Sequence, residues 1–393
     1  MAARPDVIIV GGGVLGAAIL FELAQRGISG LLLERARFAG ESTGKSAAIV
    51  RMHYSNRPVV RMALRSRQLL RSFDELTGSE PVYFATGWAF VVPDDMLAAT
   101  RANAEMNRQE GVDVEEVSVD AIRPLFPGLR NDGIAAVFFE HLSGYADPAA
   151  TVAGYLQAAQ RLGAQARSHV AVTGLLTRGD DVVGVSTAAG DDIQADFVVL
   201  AAGAWSAKLA ARVGVSFPLR TSREHELYLS TSEAAQPQAA MSNVVDRIYL
   251  RPMQEAGTRP QVLLGRGFPK EYEMVEPDGY DETVDRAFEE DARARLRQRL
   301  PQLADGQRVG GAVGLYAITP DWHPYLGPVD GVRGLILATG GSGHGFKLGP
   351  AIGEMVAADI AGGSTDYANI EAFNLRRLES DQLFGAAIGG NRA

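Results

Sequence analysis

Gly11, Gly13 and Gly16 follow the apolar run Val7-Ile8-Ile9-Val10 at the spacing G-x-G-x-x-G, and an acid, Glu34, comes eighteen residues after the last of them. The chemistry this arrangement suits is the binding of a dinucleotide. Gly11 allows the tight turn that leaves a strand. Gly13 lets backbone N–H groups, with Val14 and Leu15 next in line, approach a pyrophosphate, and Gly16 lets the following helix pack close to the strand. The helix N-terminus adds a favourable field for phosphate charge. Glu34 closes a second apolar run, Leu31-Leu32-Leu33, with Arg35 beside it. A carboxylate there accepts hydrogen bonds from an adenosine ribose and disfavours a 2′-phosphate.

These residues need a frame to hold them. The chain has 393 residues, 46% of them hydrophobic and 22% charged. That composition is ordinary for a globular protein, and the length points to two domains. The net charge of -9 argues against nucleic acid, which needs a basic footprint. There is no cysteine, which excludes disulfides, thiolate catalysis and thiolate metal sites, and the six histidines show no metal-ligand spacing. The apolar N-terminal run is broken by glycines and reaches Glu22 too soon for a membrane span. With no targeting segment, a cytoplasmic protein is the expectation.

The pattern predicts helices over residues 14–27, 56–76, 96–111 and 281–300, and another from Asp147-Pro148 to about Gly163. The charge run Glu289 to Arg295 reads as a solvated helix face. Residues 217–270 alternate as a sheet does. Strand-to-glycine-to-helix joints recur near 10–16, 200–206 and 339–349, the last helix running from about Gly349 to Ala361. We therefore expect an α/β chain of two-domain α+β organisation. A Rossmann-like nucleotide domain would come from 1–80, 146–217 and 314–393. A second domain with a mixed or antiparallel sheet would come from 81–145 and 218–313.

Four stretches occur in order: the glycine turn with Glu34; Gly40-Glu41-Ser42-Thr43-Gly44-Lys45-Ser46 through Arg51-Met52-His53-Tyr54-Ser55; Ala201-Ala202-Gly203-Ala204-Trp205-Ser206; and Thr319-Pro320-Asp321-Trp322-His323-Pro324 followed by Gly340 to Lys347. Together they resemble the FAD-dependent amine and amino-acid oxidoreductases of the D-amino-acid oxidase superfamily, in its sarcosine oxidase and dimethylglycine dehydrogenase branch. The resemblance spans nearly the whole chain. It implies FAD as cofactor, with Ser42, Thr43, Lys45 and Ser46 along the diphosphate and ribityl region and Val170 at the adenine edge. Ala202, Gly203 and Trp205 would wall the cofactor, and Gly341, Gly343, His344, Gly345, Phe346 and Lys347 would face the isoalloxazine. It further implies that Arg51 and Lys347 bind the substrate carboxylate and that Tyr316 stands beside the substrate; His344, Tyr54 and Tyr249 are further candidate pocket polar groups. Physical chemistry agrees on the last segment: a reduced flavin carries negative charge near N1, which helix-entrance N–H groups and an adjacent ammonium stabilise.

The resemblance implies oxidation of a small anionic amine (secondary or N-methyl, cyclic, or a D-amino acid). Hydride would pass to flavin N5 and the resulting imine would hydrolyse. A 2-hydroxy acid dehydrogenase and a flavin-carrying subunit of a larger electron-transfer complex are the alternatives, and a homo- or hetero-oligomer fits either. Two departures stand out. Monomeric sarcosine oxidases attach FAD to a cysteine where this chain has Gly314, so that linkage is impossible. They also carry an oxygen-activating lysine where this chain has Leu263, with Arg266 or Lys270 as possible substitutes, so oxygen and a redox partner both stand as electron acceptors.

Overall fold

The computed structural model describes residues 4–253, 259–379 and 383–385. Residues 254–258 of the expected sheet, and the outermost positions of the expected spans 1–80 and 314–393, lie outside the described residues.

The first apolar run forms the strand Val7–Val10, every residue of it buried. It sits inside a six-stranded sheet in the order Tyr325–Val329, Val332–Thr339, Phe197–Leu200, Val7–Val10, Gly30–Leu33, Gln165–Arg167. All pairings are parallel except that of the edge strand Tyr325–Val329. The fully apolar strands are what a parallel sheet covered on both faces requires. Burial of each Val, Ile or Leu stabilises the sheet by roughly 1.5–3 kcal/mol. The strands come from three distant parts of the sequence, so the glycine joints at their carboxyl ends converge.

Two helices run from these joints. One is Val14–Gln25, the other Gly345–Ile360. They cross closely because Gly349 and Gly353 face Val14 and Ala18: a Cβ on Gly349 would stand 2.9 Å from Val14 Cγ2, and one on Gly353 2.7 Å from Ala18 Cβ. The crossing holds the two N-termini side by side. The second helix begins four residues before the predicted Gly349, with Pro350 inside it. Proline removes one helical hydrogen bond there. The next N–H, that of Ala351, donates instead to Ser66 Oγ at 3.0 Å on the helix Arg57–Arg71. Burial of Leu348, Ala351 and Ile352 offsets the loss. The predicted helix 281–300 is shorter, Arg286–Arg299.

A larger mixed sheet packs beside the first. Its path is Glu273–Met274, Arg220–Ser230, Gln261–Arg266, Ile248–Met253, Ala240–Asn243, Trp88–Val92, Ala136–Glu140 and Val114–Val117, with Arg308–Ile318 also paired to Arg220–Ser230. The pairings are antiparallel except Ala240–Asn243 with Trp88–Val92. The expected boundary between positions 313 and 314 falls inside the unbroken strand Arg308–Ile318, which pairs with Arg220–Ser230 along its length. We retain the two-part division as a proposal, with this strand wholly in the second part. Among the described residues no helix is long and apolar enough to cross a membrane.

Candidate active site

A cavity of about 510 Å³ lies between the two sheets. One end is built by the glycine turn. Gly11 has φ +117°, open only to glycine, and a Cβ on it would stand 2.4 Å from the Ala201 carbonyl. A Cβ on Gly16 would lie 2.0 Å from the Gly11 carbonyl, so Gly16 sits beneath the turn rather than on the cavity wall. Gly11, Gly13, Val14 and Leu15 line the cavity. Thr43 Oγ1 accepts from the Val14 N–H at 3.1 Å, which ties the second predicted segment to the first. Glu34 lines the same end, its two oxygens accepting from the Gly12 and Ala36 N–H groups at 2.8 Å each.

Arg35, Val170, Ala202, Gly203 and Trp205 continue this wall. The Arg35 guanidinium stacks 3.8 Å from the Trp205 ring centre, and Asp278 accepts from Trp205 Nε1 at 2.7 Å. Ser42, Thr43, Lys45 and Ser46 line the middle. The Lys45 ammonium is held by Glu41, Tyr280 and Glu282, at 3.1, 2.6 and 2.8 Å. Burial works against its charge, but those bonds outweigh it and raise its pKa.

The far end brings together Arg51, Tyr249, Tyr316, Gly341, Gly343, Gly345, Phe346 and Lys347. Arg51 is buried; its guanidinium donates to the His53 carbonyl at 2.6 Å and stacks 4.7 Å from the Tyr54 ring centre. Lys347 is 7% exposed, in the first turn of its helix. Tyr316 packs over the Gly343 turn, where a Cβ would stand 2.3 Å from its ring.

His344 and Tyr54 do not line the cavity. The His344 ring turns the other way, with Nε2 at 2.6 Å from the Trp322 carbonyl and Nδ1 at 3.2 Å from the Tyr54 hydroxyl. A carbonyl only accepts, so Nε2 carries the proton and Nδ1 receives the tyrosine's. Both nitrogens are occupied. Burial, then His323 and Lys347, hold the ring's pKa well below the usual histidine value. The neutral ring is thus held between the Trp322 carbonyl and the Tyr54 hydroxyl, away from the cavity wall.

The cavity also contains groups that the sequence reading passed over or left undecided. Glu224 and Glu226 come from the strand Arg220–Ser230, and Ser242, Lys270 and Tyr272 join them. Lys270 pairs with Glu224, Arg266 pairs with Asp291, and Leu263 is buried in its strand outside the cavity wall. The signal available in sequence was a strand with acids two apart, which puts both on one face. Among the described residues one trio has metal-ligand reach, His225, Glu273 and Asp285, but Arg223 donates to both acids at 3.1 Å and the trio is an ion-pair cluster.

His323, fully buried against His344, supplies a test of the packing behind the site. Burial depresses its pKa to about 4, with Asp321 opposing and Arg377 assisting. The unfolded chain binds that proton from about pH 6.5 downward and the folded chain does not until about pH 4. Its contribution to stability is therefore complete above pH 6.5 and falls by about 1.4 kcal/mol per pH unit below it. Glu140 and Glu226, whose pKa values burial raises to about 7, act with the opposite sign. We expect the acid-side loss in urea-melt stability between pH 7 and pH 5 to be smaller in His323→Gln than in the parent.

Comparison with known proteins gives a consistent result. A family model described as DAO, FAD dependent oxidoreductase, matches residues 6–359. The glycine oxidase of Pseudomonas aeruginosa is 30% identical over 91% of this chain and 94% of its own. The monomeric sarcosine oxidase of Bacillus sp. (strain B-0618) is 26% identical over 96% of this chain and 97% of its own. The crystal structure of an L-proline dehydrogenase from P. horikoshii superposes with a TM-score of 0.89 at 25% identity, covering 98% of this chain and all of that one.

Proposed function

Since the chain belongs to the DAO family of FAD-dependent oxidoreductases, we propose that it oxidises a carboxylate-bearing amine: a secondary or N-methyl, cyclic, or D-amino acid. One observation carries the reading: Arg51 and Lys347, 296 positions apart in sequence (347 − 51), line the same end of a cavity whose other end is the glycine turn.

The residues present fit FAD. Gly11 to Leu15, Glu34, Arg35, Ser42, Thr43, Lys45 and Ser46 would hold its ADP half and diphosphate. Val170, Ala202, Gly203 and Trp205 would wall it, and Gly341 to Lys347 would lie along the isoalloxazine. The Val14–Gln25 helix has glycine at its N-cap and Thr43 Oγ1 on its Val14 N–H, and the rest of its N-terminus would face the diphosphate, the backbone arrangement such a group requires. FAD, once bound, supplies the two-electron acceptor. No cysteine exists to tether it.

The chain's own part is binding and orientation. Arg51 offers a planar fork that matches a carboxylate, and its stacking on Tyr54 fixes the plane. Lys347 adds a second positive charge at a helix N-terminus, where both field and ammonium favour an anion. Tyr316 and Tyr249 border the remaining space. Two cations at one end would hold the substrate by its carboxylate and so restrict how its α-carbon can lie in the cavity, converting collision into a fixed approach. The similar glycine oxidase and sarcosine oxidase, by name, act on small amino acids. They favour this reading over a 2-hydroxy acid.

Denaturing the yellow protein without protease should release intact FAD into the supernatant; a colourless protein contradicts the cofactor assignment, and flavin that stays on the precipitate contradicts its non-covalent binding. An anaerobic screen of N-methyl, cyclic and D-amino acids then tests the substrate class by flavin bleaching. Readmitting air reports whether oxygen or a partner takes the electrons.

A further inference from the structure

Glu224 and Glu226 leave the strand Arg220–Ser230 on the same face and both reach the cavity. Their situations differ. Glu224 is neutralised: Lys270 pairs with it and Ser222 Oγ donates to it at 2.9 Å. Glu226 has a neutral donor on one oxygen, the Tyr249 hydroxyl at 3.1 Å from Oε1. Its other oxygen, Oε2, is buried and has no hydrogen-bond partner among the described residues. Arg251 favours its charge through space, and the Tyr249 hydroxyl and the Ala47 N–H favour it through hydrogen bonds, while Arg251 Nε and Nη1 donate to the carbonyls of Ala47 and Pro252 at 2.6 and 2.9 Å.

The arrangement is built rather than accidental. Tyr249 reaches Glu226 across Gly265, where a Cβ would stand 2.1 Å from the tyrosine ring; only glycine lets the phenol lie there. Tyr249, Tyr316 and Arg51 are close enough to act on one another in sequence: Tyr249 feels Glu226 and Tyr316, and Tyr316 feels Glu224, Glu226 and Arg51. The cavity therefore grades from the cations Arg51 and Lys347, past two tyrosines, to an acid with an unanswered oxygen. A buried carboxylate with one oxygen lacking a hydrogen-bond partner is costly to ionise, and a cationic ligand reduces the cost.

We propose that Glu226 recognises the positively charged nitrogen of the substrate, so that the site selects a zwitterion over a plain or hydroxylated carboxylate of the same shape. This deepens the carboxylate-clamp reading and rests on it. The groups that face Glu226 are Arg251 and Tyr249 from the next strand but one, across Gln261–Arg266, Tyr316 from the paired strand Arg308–Ile318, and Glu224 and Tyr228 on its own. Burial raises its pKa to about 7. Ionisation above neutral pH, when the acid becomes an anion, should strengthen the selection.

Two non-oxidisable probes isolate the effect: trimethylammonioacetate, the cationic probe, and its carbon isostere 3,3-dimethylbutanoate, the neutral probe, named for the charge at the trialkyl end. Both carry the carboxylate, and only the first carries a cation. Their dissociation constants are read from perturbation of the oxidised flavin spectrum in the holoprotein. At pH 8.5 the parent should bind the cationic probe about tenfold or more tighter than the neutral one, and the ratio should shrink as the pH falls below about 7. Glu226→Gln should bring the ratio to within about twofold while leaving the neutral probe's affinity unchanged, and Glu226→Asp should recover part of the preference. Equal affinity for the two probes in the parent at pH 8.5 overturns the proposal, even if the glutamine variant does not fold. So does a Glu226→Gln variant that weakens both probes alike. Failure of the underlying clamp is a separate result: Arg51→Ala would then leave both affinities as they were.

Discussion

Replacing Arg51 or Lys347 by alanine should lower kcat/KM for the amino-acid substrate by roughly 10²–10³ while FAD stays bound. The magnitude follows from burial. Both side chains are less than a tenth exposed, so a carboxylate that binds between them has exchanged water for these two cations. Removing one leaves a desolvated anion short of a charge-assisted bond, which costs about 2–5 kcal/mol rather than the fraction of one kcal/mol of a surface pair. The loss should fall mainly on KM if the clamp holds ground state and transition state alike, and on kcat if it fixes the approach of the α-carbon. Arg51→Lys is a finer probe. It keeps the charge but loses the planar fork and the stacking on Tyr54, and it should recover only part of the activity. Flavin spectra and melting temperatures of the variants report whether the cofactor and fold survive. Normal flavin reduction at low substrate in both alanine variants would remove the clamp.

The second large effect is on the cofactor. Gly16→Val should yield protein without flavin, or none that remains folded. Its first added carbon would stand 2.0 Å from the Gly11 carbonyl oxygen and 3.2 Å from Ile9 Cγ2. The oxygen is main chain in the turn and the other atom belongs to the central strand, so neither can yield cheaply. Overpacking of this kind costs typically about 1–3 kcal/mol and more where backbone is involved. Relief requires the Val14–Gln25 helix to move off the sheet, and that takes its N-terminus away from the diphosphate position. A matched control is Gly27→Ala, at a positive φ but with open space around it, which should retain FAD at a modest stability cost. The ratio of flavin to protein in the purified variants distinguishes them. Full flavin occupancy in Gly16→Val would contradict the account of the turn.

Much of this was legible in the sequence for a specific reason. Gly11 and Gly16 are demanded by backbone geometry, and a backbone demand leaves a residue type at a fixed spacing. Arg51 and Lys347 were reached through family resemblance. The spacing between them says nothing, because the sheet order that joins them is a long-range result. Side-chain direction is what the sequence does not carry. His344 stands between two glycines that line the cavity, and Tyr54 is three residues from Arg51. Identity and position along the chain suggested pocket groups, whereas the rings face the Trp322 carbonyl and each other. Glu224 and Glu226 escaped notice for the converse reason. Acids at alternate positions of a strand usually mark its solvent face, and only the packing of the second sheet against the first turns that face into a cavity wall. The boundary set at 314 falls inside the Arg308–Ile318 strand, whose pairing with Arg220–Ser230 is a long-range result that local sequence does not carry. Gly314 itself keeps close to Lys45, where a Cβ would be 3.1 Å from the lysine's own.

The central claim is that this cavity oxidises a carbon bearing nitrogen in a molecule anchored by its carboxylate. It is tested most directly by a single anaerobic turnover of the FAD-loaded protein with an amino acid and, in parallel, with the 2-hydroxy acid of the same skeleton, scoring flavin bleaching together with the ammonia or amine set free. The account predicts bleaching by the amino acid, with one nitrogen released per flavin reduced, and an oxidised flavin in the hydroxy acid sample. Bleaching by the hydroxy acid alone, with no nitrogen released from any amino acid offered, would contradict it.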